Sequence, residues 1–393
     1  MSDSLKYDER GVSASKSEVH SAIKGLDKGL FPNAFCKILP DLVAHNEDYC
    51  NIMHADTAGT KTSLAYLYWK ETGDLSVWKG VVQDSIVMNL DDMACVGCID
   101  DIIISSTVGR NKKQITGEVV KEVIQGTGAF LSQLEEYGVK VTLAGGETAD
   151  VGDIVRTIDI GFTAFGRMKK EDVVDINIQE GDVIVGFASY GQSVYENDYN
   201  GGMGSNGLTS ARHDVFAKKY MTKYPESFDP NVPSDLIFCG SKSVDDIIHL
   251  EEYGDITAGK LVLSPTRTYL PILKRILNDH RKELNGIIHC TGGAQTKVEK
   301  FVKDKKIIKD NLFSLPPLFQ MIEEESKTAR KEMYQVFNMG HRLEIYTDVS
   351  TAAKLISISE SFNIPAQIIG RVEANEGVEI EITDDKGTYH YSS

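Results

Sequence analysis

One stretch dictates the fold class of this chain: an amphipathic helix that runs directly into a short β-rich segment. Val119, Val120, Val123, Ile124, Phe130, Leu131 and Leu134 recur at helical spacing over 117–138, and Gly138 is a stop signal. Val139–Leu143 follows at once, rich in β-branched residues, and then the turn Ala144-Gly145-Gly146-Glu147. Further on, Ile158, Ile160, Phe162 and Ala164 alternate with Thr157, Asp159, Gly161 and Thr163, which predicts a strand with one buried face. Helix and strand periods in alternation mean an α/β chain.

The pattern stops at the polar segment Lys169–Gly181 and then restarts, so two domains are expected, over 1–173 and 174–393. The second half opens with a strand at Asp182–Ala188 and a Gly/Asn/Tyr-rich loop from Tyr190 to Gly207; loops of that length are usually functional or mobile. Thr266 is placed to cap a helix whose apolar positions include Leu270, Leu273, Ile276 and Leu277. Gly286–Cys290 reads as a strand entering Thr291-Gly292-Gly293, with a helix after it. Strands at Leu343–Tyr346, Ala366–Val372 and Val378–Ile382, with a helix at Thr351–Phe362, close the chain. No low-complexity tract and no internal repeat stands out.

With 393 residues and 41% hydrophobic content, the chain is long enough for two sizeable cores. It carries 42 basic and 58 acidic residues, a formal charge of −16. That balance repels phosphate backbones and anionic lipid, so neither nucleic acid nor a membrane surface is an expected partner. No apolar run approaches the ~18–20 residues of a membrane span. The start, MSDSLKYDERG, shows no basic-then-apolar secretory pattern. The six cysteines, Cys36, Cys50, Cys95, Cys98, Cys239 and Cys290, are too sparse for a disulfide framework, and a reducing cytoplasm is expected. Cys95 and Cys98 form one C-x-x-C inside Ile86–Cys98, which reads as a helix; there the pair are small packing residues.

Three segments carry oxygen and nitrogen ligands. His54-Ala55-Asp56-Thr57-Ala58-Gly59-Thr60-Lys61 sets a carboxylate, two hydroxyls, a glycine and a lysine side by side. Glycine lets an amide approach an anion, lysine brings a point charge, and aspartate suits a hard cation. The spacing is not that of a Walker loop, and a polar strand-to-helix turn reads the same way. Asp84 and Asp91, seven apart on a helix, share a face, while Asp92 points elsewhere. They are either a solvated acidic face or part of a site, and their apolar company favours a site. Gly145, Gly146, Glu147, Thr148 and Asp150 directly follow a strand, where open α/β sheets bind ligands. Asp56, Asp91, Asp92, Glu147 and Asp150 together are the oxygen donors that magnesium prefers and bridges to nucleotide phosphates. In the second half, Ser205-Asn206-Gly207, Thr266-Arg267 and Thr291-Gly292-Gly293 are small polar turns that suit a phosphate ester, and each alone is also ordinary turn chemistry. His289 adjoins the last of them.

Taken as a set, these motifs resemble the aminoimidazole ribonucleotide synthetase (phosphoribosylformylglycinamidine cyclo-ligase) family. The matching stretches, in family order, include Tyr7…Gly11-Val12, Asp56–Lys61, Asp84–Asp92, Gly145–Ala149, Ser205–Gly207, Leu263–Tyr269, His289–Gly293 and Glu332-Met333-Tyr334…Phe337-Asn338-Met339-Gly340. The resemblance implies a homodimer of two-domain α/β chains whose amino-terminal sheets pair into a barrel, with ATP near the dimer interface. It implies ATP-dependent closure of formylglycinamidine ribonucleotide to aminoimidazole ribonucleotide, through a phosphorylated amide. The alternatives are a small-molecule kinase of the same fold and a non-catalytic nucleotide-binding subunit. Carried over by position, Asp56, Asp92 and Glu147 would hold magnesium. Asp56, Gly59, Thr60, Lys61, Gly145, Gly146, Glu147 and Thr148 would meet ATP. Ser205, Asn206, Gly207, Thr266, Arg267, Thr291, Gly292 and Gly293 would meet substrate, with His289 and Lys61 catalytic. The chain departs from the family pattern in five places. Leu30–Phe35 replaces a glycine-rich segment, and Gly204 stands where histidine is usual. An insertion spans roughly Gln192–Asn200. Asp91 replaces asparagine, and His341-Arg342 replaces a small residue and glycine.

Overall fold

In the computed structural model, residues 6–13 and 17–392 are described; the first five residues of the polar start lie outside them. The first sheet is built from β1 (Ile38–Pro40), β2 (Tyr49–Thr57), β3 (Ile102–Arg110), β4 (Val141–Asp150) and β5 (Ile158–Lys169), in the order β1-β2-β5-β3-β4. All neighbours are antiparallel except β3 and β4. Three helices accompany it: α1 (Lys61–Thr72), α2 (Val77–Cys95) and α3 (Gly117–Glu136).

The second sheet takes its seven strands from beyond residue 182. They are β6 (Val183–Ala188), β9 (Leu284–His289), β10 (Lys305–Lys309), β11 (His341–Thr347), β12 (Ala366–Ala374), β13 (Val378–Asp384) and β14 (Gly387–Ser392). The order is β14-β13-β10-β12-β6-β11-β9. A separate hairpin, β7 (Ile247–Leu250) with β8 (Gly254–Thr257), stands outside both sheets. Helices α4 (Leu208–Val215), α5 (Leu270–His280) and α6 (Val349–Ser361) belong to this half.

The two halves meet on α2. It packs on β2 and β5 and also reaches β9 and α5. A helix with neighbours on most sides is buried on most sides. Trp78, Val81, Val82, Ile86, Val87, Leu90, Met93, Ala94 and Cys95 are accordingly all buried. Cys95 and Cys98 are free buried thiols, as their packing role requires.

Two local expectations are corrected. Ala144–Glu147 is not a turn, because β4 continues unbroken to Asp150. Its pairing with β3 slips between Ile104 and Ser106, a β-bulge. Gly145 there has φ +107°, and a Cβ on Gly146 would stand 2.0 Å from Ser106 Oγ. These glycines serve sheet geometry. Nor does Thr266 cap α5: the residue ahead of that helix is Tyr269, and Thr268 Oγ1 accepts from the Leu270 amide at 3.1 Å. Among the described residues, no helix is long and apolar enough to cross a membrane.

Candidate active site

The acids of α2 form the bridge between halves. Asp84 and Asp91 do share a face, and both are fully buried rather than solvated. Asp84 Oδ1 accepts from the Thr266 amide at 2.7 Å, Thr266 Oγ1 at 2.5 Å and Lys61 Nζ at 2.7 Å. Asp91 accepts from Thr268 Oγ1 at 2.6 Å and the Tyr269 amide at 2.8 Å. Two acids seven residues apart on the helix therefore clasp one extended segment, 264–269, from the other half.

Lys61 is part of that clasp. Its ammonium is buried and also donates to Ser264 O at 2.5 Å and Gly204 O at 3.4 Å. Burial pushes its pKa down against the opposing charge of Asp84. Lys61, expected to meet phosphate and to be catalytic, stands here as an internal strut. Arg267 is likewise committed. It is fully buried, and all five of its N–H groups are used. They go to Glu196 at 2.5–3.1 Å and to the carbonyls of Ala188, Tyr190 and Gly191. Glu196 belongs to the insertion at 192–200. Thr266 and Arg267, expected to meet substrate, are both fastened to internal partners.

Asp92 turns the other way, to two imidazoles. His289 Nδ1 lies 2.6 Å from Asp92 Oδ1, and His54 Nε2 lies 3.4 Å from Oδ2. The neighbours fix both protonation patterns. Arg342 Nε donates to His289 Nε2 at 3.1 Å, so that nitrogen is an acceptor and the ring proton sits on Nδ1, toward Asp92. Burial holds His289 down to about 4, hence neutral. For His54, Asn89 spends its amide protons on Ser85 O and Phe162 O, so its Oδ1 faces His54 Nδ1 at 2.9 Å and must accept from it. His54 Nε2 then faces a carboxylate, which favours a second ring proton. Burial opposes that charge, but Asp92 outweighs it and the His54 pKa is raised. Asp92 itself is desolvated, yet the two histidines and Lys297 hold it far below the usual carboxylate range. His289, expected to be catalytic, is fully buried with both ring nitrogens engaged, by Asp92 and by Arg342.

The three expected metal ligands do not gather within one chain. Asp56 shares a face of β2 with His54, two residues away, and its Oδ1 accepts from the Thr57 amide. Glu147 is exposed on edge strand β4. It pairs across to Thr107, Gly161 and Thr57, the face opposite Asp56, about 14 Å away at ~4.8 Å per strand. Gly145, Gly146 and Thr148 lie on the same exposed edge. Asp150 instead pairs with Arg110 at 2.8 Å.

Other expected groups do come together. Gly59 and Thr60 lead into α1, with Gly59 exposed in a left-handed conformation, φ +61°. Ser205, Asn206 and Gly207 enter α4. A Cβ on Gly292 would be 3.9 Å from Asn206 Nδ2, so the 205–207 and 291–293 loops face each other. His54, Glu196 and Arg342 were not among the expected site residues. His54 alone had a readable sign, its spacing of two from Asp56.

Residues 37–168 match the family model described as AIR synthase related protein, N-terminal domain. A cyclo-ligase from Methanococcus vannielii is 27% identical over 347 residues, 88% of this chain and 84% of that protein. The chain is thus similar to the AIR synthase related family over this amino-terminal segment and to cyclo-ligases over most of its length. Another relative named phosphoribosylformylglycinamidine cyclo-ligase, from Carboxydothermus hydrogenoformans, is 25% identical over 95% of this chain and 98% of its own. Among solved structures, T. maritima PurL complexed with FGAR shares the fold, with TM-score 0.54 and 11% identity over 97% of this chain. This chain spans 50% of that longer protein. AaThiL complexed with AMPPCP and TMP gives TM-score 0.51 and 13% identity, over 93% of each chain.

Proposed function

We propose that the protein closes the imidazole ring of aminoimidazole ribonucleotide from formylglycinamidine ribonucleotide, using ATP, in cytoplasmic purine synthesis. The observation that carries this is end-to-end similarity to proteins named for that reaction, extending to 98% of one relative's length. An amide oxygen is a poor leaving group. In our reading the formyl oxygen attacks the γ-phosphorus of ATP, and ADP departs with the broken bond's electrons. The ribosyl-bearing amidine nitrogen then attacks the formyl carbon. The carbon–oxygen bond breaks, phosphate leaves, and the new ring sheds a proton. Such transfer needs mainly positioning and charge neutralisation. The amides at Gly59 and Thr60, at the positive end of α1, suit ATP phosphate. The facing loops 205–207 and 291–293 suit the substrate. The magnesium set Asp56, Asp92 and Glu147 is not made within one chain, and no step here passes through it.

We further propose the homodimer. Met53, Phe165 and Ile103 form a row across the outer face of the first sheet, with Met53 64% and Ile103 44% exposed. An exposed apolar row on a sheet calls for a cover. A second copy is the occupant we infer, pairing the sheets into a barrel, and Glu147 lies on that same face. Light scattering should then give twice the chain mass of 43.4 kDa.

Mass spectrometry after incubation with ATP and formylglycinamidine ribonucleotide tests the activity. Loss of water from the substrate is expected. Gain of a phosphoryl group would make the protein a kinase, and bound ATP without turnover a non-catalytic subunit.

A further inference from the structure

Arg342, at the junction of the two halves, is a buried guanidinium with a donor left over among the described residues. It is the extra residue of a β-bulge: β11 pairs His341 with Ala188 and Leu343 with Phe187, leaving Arg342 unmatched. Bulges re-aim side chains and gather beside active sites. Here the side chain is buried, 2% exposed. Its Nε donates to His289 Nε2 and its Nη2 to Arg267 O, while Nη1 has no hydrogen-bond partner among the described residues. A buried charged donor left unpaired is costly, so its partner is to be sought in a ligand.

Two further observations say where that ligand sits. Gly204 lies in front of Nη1: a Cβ built there would stand 3.4 Å from it. With φ +69°, residue 204 favours glycine, which keeps this space clear. The next residue contributes Ser205 Oγ, also buried and without a hydrogen-bond partner among the described residues. Two unpaired donors on adjoining elements, beside an absent side chain, make a cradle for oxygen. The relay behind it is fixed: Asp92 holds His289, His289 holds Arg342 Nε, and Arg342 presents Nη1.

We propose that Arg342, with Ser205, positions the formyl oxygen of the substrate and neutralises the negative charge of the phosphoryl group transferred to it. This rests on the ring-closing activity proposed above. Arg267 does not take this part, because Glu196 and three carbonyls use all its donors. Arg342 instead offers an unpartnered N–H beside Gly204, in the loop that carries Ser205. A permanently charged donor beside a phosphoryl group as it is transferred, and as phosphate later departs, is the kind of group that raises kcat.

The test compares Arg342→Ala and Arg342→Lys with the unaltered protein, using ATP and formylglycinamidine ribonucleotide. We expect Arg342→Ala to lose about 10²–10³-fold in kcat/KM for the ribonucleotide, with the KM for ATP unchanged within about twofold. Added guanidinium ion should restore at least part of its activity. Arg342→Lys, which keeps charge but loses the fork, should lose about tenfold or more in kcat. It carries the test should the alanine variant fail to fold. Retention of near-full activity by either folded variant overturns the proposal. So does a loss that guanidinium does not relieve and that raises the KM for ATP in step, which marks a structural role. Absence of turnover in the unaltered protein overturns the underlying reading instead, and this proposal with it.

Discussion

Glu196 closes a buried ion pair with Arg267, its Oε2 2.5 Å from Nη2, and so ties the 192–200 insertion across the segment that α2 clasps from the other side. Removing one partner leaves a charge in a dry site. Glu196→Gln should cost about 3–5 kcal/mol of stability. Asp198→Asn, exposed two residues away, should stay within about 0.5 kcal/mol. Urea unfolding of both variants measures the contrast.

Lys61 and Asp84, both of the first half, form a pair with no exposed side-chain surface that holds Ser264 and Thr266 of the second. Lys61→Met and Asp84→Asn should each destabilise by about 3–5 kcal/mol, and the double variant by less than their sum. A double-mutant cycle in urea reads the coupling. Full additivity would show that the pair does not act as a unit.

The clasp marks the limit of what sequence patterns reveal. Spacing put Asp84 and Asp91 on one face, and the structure agrees. It did not reveal that the face is buried, because the segment covering it lies some 180 residues away. The strand at 158–164 was legible from strict alternation. β2 was not, because its inward residues run from Cys50 and Ile52 to His54 and Asp56, so polarity stops marking the face. Two glycines in β4 read as a turn because glycine signals turns and bulges alike. Arg342 gave no local sign as a site residue, since a bulge in β11 aims it. Arg267 looked available because Glu196 pairs with it from a loop that has no periodic pattern.

Glu344 anchors a second buried network. It accepts from Lys309, from His341 at 3.0 Å and from Tyr346 at 2.8 Å. Burial alone would raise its pKa, but Lys309 and His341 together outweigh that and pull it down to about 2. A depressed acid stabilises the fold above its unfolded pKa, ~4.3. That contribution is lost as pH falls toward about 2. Thermal unfolding from pH 7 to pH 2 should therefore show a shallower acid limb for Glu344→Gln, on a baseline about 3–5 kcal/mol less stable. An unchanged limb would remove Glu344 from the acid response.

Of the six cysteines, Cys239 alone is exposed. Burial pushes Cys98 up to about 12 and Cys50 to about 11. A thiol reagent at pH 8 should label one site in the folded protein and six after unfolding. Rapid labelling of Cys95 or Cys98 in the folded protein would contradict their packing role.

The proposed chemistry makes one prediction about where an atom goes. If ATP activates the formyl oxygen, that oxygen must leave as part of phosphate. Formylglycinamidine ribonucleotide carrying ¹⁸O in its formyl group should, with ATP and this protein, give unlabelled aminoimidazole ribonucleotide and ¹⁸O-labelled inorganic phosphate. Label recovered in water, with unlabelled phosphate, would contradict activation by phosphoryl transfer.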